Sequence, residues 1–212
     1  MQGKGEGMNP EEAIQKVEAF VEFTTGYNVP KPSRLVQGRK ELKELAKILA
    51  SLKPKNFALE IGLAHGGSHF FWRLFFEKVI SIEWGQEHYD ISVRRLTAYG
   101  CDMSKSVLIF GDSTEQPIVD EVKKHLGVQK LDFLFIDGGH TWNVVYSDFK
   151  NYWRLVRKGG VIAMHDTGDG KNISTATSGY AVLMNQMAAE YGITPQTFIS
   201  IDHCGISWCR KL

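Results

Sequence analysis

From Phe57 onward the sequence alternates short apolar runs with stretches of helical period, and most runs end on an acid or a glycine turn. The runs lie at 57–62, 79–83, 107–111, 131–136 and 160–165; the stretches between them, about 67–76, 86–99, 115–126 and 141–156, predict helices. Such alternation points to a parallel sheet covered on both faces, because each parallel connection crosses over the sheet and its buried strands have no polar side. The clearest helix is 141–156, where Thr141 is placed as cap and Trp142, Val145, Phe149, Tyr152, Trp153 and Val156 share one face before Gly159-Gly160. A last helix at about 178–191 stops at Gly192, and two strands, roughly 197–202 and 205–210, close the chain with no helix between them. Strands joined by so short a loop pair antiparallel. The expected fold is therefore a doubly wound, Rossmann-like α/β sheet of seven strands, with an antiparallel last strand and helices on both faces.

The segment before this pattern is helical. Asn9-Pro10-Glu11-Glu12 reads as a helix start, followed by Ile14, Val17, Phe20 and Val21 at helical spacing. A second helix is expected from near Ser33, with Leu42, Leu45, Leu49 and Leu52 on one face, ending at Pro54. The division expected is 1–54, a flexible leader plus a helical extension serving as a cap or homo-oligomer contact, and 55–212, the sheet domain. The Lys and Arg residues between Arg34 and Lys55 are interspersed with Glu41 and Glu44, which reads as a solvated helix face and not a nucleic-acid surface. The formal net charge of +1 agrees with this. No apolar run approaches the roughly 20 residues that cross a bilayer, and the start has no signal-peptide pattern. Cys101, Cys204 and Cys209 form no metal or disulfide spacing, so a reduced, cytoplasmic protein is expected.

Chemistry concentrates at the carboxyl ends of the expected strands, where open parallel sheets bind ligands. The first reads Glu60-Ile61-Gly62-Leu63-Ala64-His65-Gly66-Gly67-Ser68, a phosphate-type glycine loop whose middle glycine is replaced by Ala64. A carboxylate such as Glu60 repels a pyrophosphate, by about 4 kcal/mol for unit charges 4 Å apart at a dielectric of 20. It suits a cofactor carrying an ammonium and a sulfonium, so S-adenosylmethionine is favoured over NAD. Glu83 lies 21 positions after Gly62, where an acid can accept both ribose hydroxyl protons. Gly111-Asp112-Ser113 ends the third strand, where an acid could meet the adenine amine.

The run 131–136 leads into Asp137-Gly138-Gly139-His140, and the run 160–165 into His165-Asp166-Thr167. Neighbouring strands lie about 4.8 Å apart, so Asp137 and Asp166 could share one cation. Two acids and a substrate diol would suit Mg2+, whereas a ligating His165 would favour manganese, iron or zinc. Otherwise Asp166 caps a turn and His165 packs in its strand. His140 follows two glycines and precedes a helix, a place for an exposed imidazole acting as base, or for one bonded to a loop carbonyl. Trp142 could stack on adenine or pack in the core, while Trp72 reads as packing; His65, His69 and His203 are weaker candidates. The stretch 167–179 lacks an apolar period and reads as a flap over the acceptor.

These residues resemble the class I S-adenosylmethionine-dependent methyltransferases from about Pro54 onward. Ile136-Asp137-Gly138-Gly139-His140 with Gly159-Gly160-Val161-Ile162-Ala163-Met164-His165-Asp166-Thr167 resembles a branch holding macrolide sugar O-methyltransferases and proteins labelled cephalosporin hydroxylase. The resemblance implies that Glu60, Gly62, Gly66 and Ser68 hold the methionine end of the donor, Glu83 the ribose, and Asp112 with Ser113 the adenine. It implies His140 as base and a divalent cation at Asp137 and the pair after the fifth strand, although His165 stands where metal-using members have an oxygen ligand. The function expected is O-methylation of a small hydroxylated acceptor. The rivals are an NAD-dependent oxidoreductase and a non-catalytic cofactor-binding protein.

Overall fold

The computed structural model describes residues 9–25, 37, 39–167, seven positions between 183 and 193, 196–198 and 205–212. The leader, the flap beyond Thr167, and His203 with Cys204 lie outside the described residues. The elements are α1 (Pro10–Thr25), α2 (Arg39–Ala50), β1 (Phe57–Ile61), α3 (Gly67–Arg73), β2 (Lys78–Glu83), α4 (Gln86–Ala98), β3 (Ser106–Phe110), α5 (Gln116–Leu126), β4 (Leu131–Ile136), α6 (Trp142–Tyr152), β5 (Val156–His165), β6 (Gln196–Phe198) and β7 (Ile206–Arg210). The seven strands form one sheet in the order β3-β2-β1-β4-β5-β7-β6. The first five run parallel, and β7 lies antiparallel between β5 and β6. This is the doubly wound sheet that the alternation predicts. The last strand to be made inserts beside β5 because both its faces are apolar: Ile206 and Trp208 bury on one side and Cys209 on the other. β6, described over Gln196–Phe198, lies at the edge of the sheet.

One boundary differs. The helix expected over 141–156 ends at Tyr152, a single 3-10 turn covers Trp153–Leu155, and β5 already begins at Val156. Tertiary pairing overrides helical period here: Val156 aligns with Leu131 of β4, and Gly159 and Gly160 exchange backbone hydrogen bonds with Lys211.

Strand side chains alternate between two apolar layers. Leu59 and Ile61 join Val119, Val122, Val145 and Phe149 under α5 and α6. Ala58, Phe133 and Phe135 face α1, α2 and α3, where Ile14, Leu42, Leu45 and Leu49 are all essentially inaccessible. The N-terminal helices therefore complete one of the two core layers. Among the described residues, no helix is long and apolar enough to cross a membrane.

Candidate active site

At the carboxyl edge of the sheet the chain leaves β1 through Gly62 with φ +93°. A side chain here would place its Cβ 2.0 Å from the Asp137 carbonyl oxygen, so the ends of β1 and β4 touch and only glycine fits. Ala64, at the position of the missing middle glycine, also turns left-handed at φ 45°. Its strain is held by two bonds: its N–H donates to Glu83 Oε2 at 2.8 Å, and its carbonyl accepts from Ser92 Oγ at 2.8 Å. Gly66, at φ 84°, then opens α3.

Beside this loop lies a cleft of about 230 Å³ walled by Gly62, Ile82, Trp84, Asp112, Ser113 and Gly138, among others. Glu83, between the cleft residues Ile82 and Trp84, is 4% exposed and also accepts the Gly85 N–H at 2.8 Å. Asp112 is exposed, with Oδ1 accepting from the Thr114 N–H and hydroxyl. Trp84 is 78% exposed and lines the cleft. The sequence reading passed over Trp84, although its place directly after the strand-end acid was a usable signal. Trp142, weighed as a stacking residue, instead lies on Tyr146 with ring centroids 5.2 Å apart.

Glu60 occupies a different place from its loop neighbours. The alternation of β1 turns it toward α3, where it is fully buried and does not line the cleft. Trp72 Nε1 donates to Glu60 Oε1 at 2.9 Å, and Ser81 Oγ donates to Oε2 at 2.7 Å. Burial pushes the Glu60 carboxyl up to about 7, against the bonds from Ser68, Ser81 and Trp72. It thus ties α3, including Ser68, and β2 to the base of the glycine loop. Trp72 is a hydrogen-bond donor as well as a packing ring. His69 lies in the same layer, its Nδ1 2.8 Å from Ser81 Oγ, and burial lowers it to about 3.

The far wall is braced by α6. Ser113 Oγ donates to Asp148 Oδ1 at 2.7 Å, and the Tyr152 hydroxyl donates to the Ser113 carbonyl at 2.8 Å. Asp148 is inaccessible, its Oδ2 has no hydrogen-bond partner, and burial raises its carboxyl to about 7.

Beside the cleft, at the ends of β4 and β5, Asp137, His140 and Asp166 bring ligand-capable atoms within 4.8 Å of one another. His140 is the exposed member, at 44%, with Nδ1 3.4 Å from Asp166 Oδ2. His165 lies behind them at 2% exposure, Nδ1 3.2 Å from Asp137 Oδ1 and 3.4 Å from Asp166 Oδ1. These are charge contacts and not aligned hydrogen bonds, and Nδ1 has no hydrogen-bond partner. Its Nε2 is 3.1 Å from Glu41 Oε1. Burial pushes this imidazole down, but the carboxylates of Asp137, Asp166 and Glu41 together raise it well above the usual histidine range. Gln37 Nε2 donates to Asp137 Oδ2 at 2.5 Å. Glu41, expected on a solvated helix face, is instead 1% exposed because α2 turns it into the sheet against His165, and Gln37 escaped the sequence reading because nothing local links it to a residue 100 positions away.

The chain from residue 59 to 167, just over half of it, matches the family model described as a methyltransferase domain. No curated protein matches the sequence. Similar solved structures include a Staphylococcus aureus protein assigned provisionally as a caffeoyl-CoA O-methyltransferase, with 19% identity, TM-score 0.68, and 96% of this chain and 99% of that one covered. The Podospora anserina methyltransferase PaMTH1, solved with bound SAH (S-adenosylhomocysteine), is 15% identical with TM-score 0.67, covering 92% and 87%. An O-methyltransferase from Bacillus cereus in complex with SAH is 19% identical with TM-score 0.56, covering 93% and 100%. At these identities the structural likeness speaks for the fold. With the family match, the strand order and the cleft beside Gly62, it leads to one conclusion: this chain belongs to the methyltransferase domain family, with the fold of the class I S-adenosylmethionine-dependent enzymes.

Proposed function

We propose that the chain moves a methyl group from S-adenosylmethionine to a hydroxyl oxygen of a sugar or other small metabolite. The observation that supports this best is the adjacency of the glycine-walled cleft to the cluster of Asp137, His140 and Asp166, since the cleft residues Gly138 and Gly139 lie between Asp137 and His140. The donor supplies an electrophilic methyl group when bound. Gly62 and Gly66 give the backbone room for its methionine end, with Ala64 and Ser68 beside them, and the buried Glu60 holds that loop in shape. Glu83 takes the ribose, and Trp84, Asp112 and Ser113 enclose the adenine.

Methyl transfer is an in-line displacement, so the acceptor oxygen must lose its proton on the side away from the donor. His140 is the base: its ring is accessible, and Asp166 Oδ2 beside Nδ1 both orients it and stabilises the imidazolium formed. The buried His165 Nδ1, in contact with two carboxylates without an aligned hydrogen bond, fits a cation-binding centre. A divalent cation held by Asp137 and Asp166 would polarise the acceptor hydroxyl.

The test is calorimetric binding of S-adenosylmethionine and NAD, followed by detection of SAH formed with a panel of hydroxylated acceptors. Donor binding and acceptor-dependent SAH are expected. Binding of NAD alone would replace this reading with an oxidoreductase, and donor binding without turnover on any acceptor with a binding protein.

A further inference from the structure

We infer that the cation site of this chain is a mixed nitrogen and oxygen site, with His165 Nδ1 as a ligand beside Asp137 and Asp166, and that it takes a borderline transition-metal cation in preference to Mg2+. The inference deepens the methyltransferase reading by naming the class of cation at its reacting centre.

The spacing carries the argument first. Ligand atoms on one cation with bonds of about 2.1 Å stand about 3.0 Å apart in octahedral geometry and about 3.4 Å apart in tetrahedral geometry. His165 Nδ1 lies 3.2 Å from Asp137 Oδ1 and 3.4 Å from Asp166 Oδ1. The ring is 2% exposed and this nitrogen has no hydrogen-bond partner, so it is aimed into the carboxylate pair and nowhere else. Along an extended strand, residues 165 and 166 would project to opposite faces. Asp166 breaks that alternation with φ +58°, and the turn brings its carboxylate back against the His165 ring.

The second part is the support behind the ring. With Glu41 Oε1 3.1 Å from Nε2, the carboxylate accepts the ring N–H there, and a cation at Nδ1 would displace the proton that the two acids otherwise hold on that nitrogen. A carboxylate backing a ligating imidazole is how proteins fix tautomer and orientation at metal centres. Gln37 holds Asp137 Oδ2 from the same side, so Oδ1 is left for the shared centre. Glu41 is rigidly placed, since Leu42 and Leu45 beside it are fully buried. Mg2+ prefers oxygen ligands, whereas an imidazole shifts preference toward iron, cobalt and zinc. His140, on the exposed side, remains the base.

The experiment uses the full chain, stripped of metal by chelator, with Co2+ and Mg2+ titrated by calorimetry and Co2+ also by visible absorption, with and without SAH. Co2+ is expected to bind at least about tenfold tighter than Mg2+ and to develop the bands of a nitrogen-ligated ion. His165→Asp should shift preference to Mg2+, His165→Ala should erase it, and Glu41→Leu should weaken Co2+ by about 10–100-fold, all with SAH affinity retained. His140→Ala should leave the Co2+ preference intact. Equal affinity for the two ions, or a Co2+ preference that survives His165→Asp and disappears in His140→Ala, would overturn the inference. The two readings fail separately: absence of SAH binding refutes the methyltransferase reading, while the cation titration without SAH still judges the site.

Discussion

Asp148→Asn should stabilise the protein increasingly as pH rises. Asp148 is buried on α6 with one oxygen bonded to Ser113 and the other unpartnered, and its carboxyl is raised from 3.8 to about 7. Because the folded state binds the proton more tightly than the unfolded chain, stability is fullest below about pH 4. It falls as pH rises through about 7, where the buried group must ionise. At 1.36 kcal/mol per pKa unit, the whole loss is about 4 kcal/mol, and about 3 kcal/mol of it falls between pH 5 and pH 8. Asparagine can accept the Ser113 hydroxyl through its carbonyl and cannot ionise. Leaving its buried amide without an acceptor costs about 1–3 kcal/mol, a penalty that is the same at every pH. The change with pH is therefore the quantity to read. Urea unfolding of both proteins at pH 5, 6, 7 and 8 measures it, and Glu60, which titrates in the same range, is common to both and cancels. Parallel stability curves for the two proteins would refute the reasoning, because Asp148 would then carry no perturbed proton.

Three other outcomes are expected. Glu83→Ala should weaken S-adenosylmethionine binding by about 1–3 kcal/mol in calorimetry, through loss of charged hydrogen bonds to the ribose and of the bonds that pin Ala64 and Gly85; unchanged affinity would remove Glu83 from the donor site. Trp84→Ala should also weaken the donor, by about 0.5–1.5 kcal/mol for a lost stacking partner, while thermal unfolding hardly moves because the ring is 78% exposed. His140→Ala should lower turnover about 10²–10⁴-fold with donor affinity intact, and a mutant as fast as the wild type would transfer the role of base elsewhere.

The strand ends show how much the sequence alone determined. The parallel sheet was legible from Leu59, Ile80, Leu134 and Ile162, because strands buried on both faces are mostly apolar, and the glycine at 62 marked a backbone approach that no side chain survives. Asp137, His140 and Asp166 could be placed together because adjacent parallel strands deliver their ends to one edge. Only the tertiary structure decided the rest. The parity of β1 sends Glu60 away from the cleft toward Trp72, and what covers a strand face is not written in the strand. Trp84 became a wall only once β3 and the Gly138 turn were set around it. Glu41 of α2, and Gln37 just before it, reach His165 and Asp137 because α2 packs on the same face of the sheet; its leucine periodicity announced a helix but not which distant side chains its polar residues would meet. Local pattern reports burial and backbone conformation, which act over a few residues; the chemical environment of a side chain is set by whatever long-range packing brings beside it.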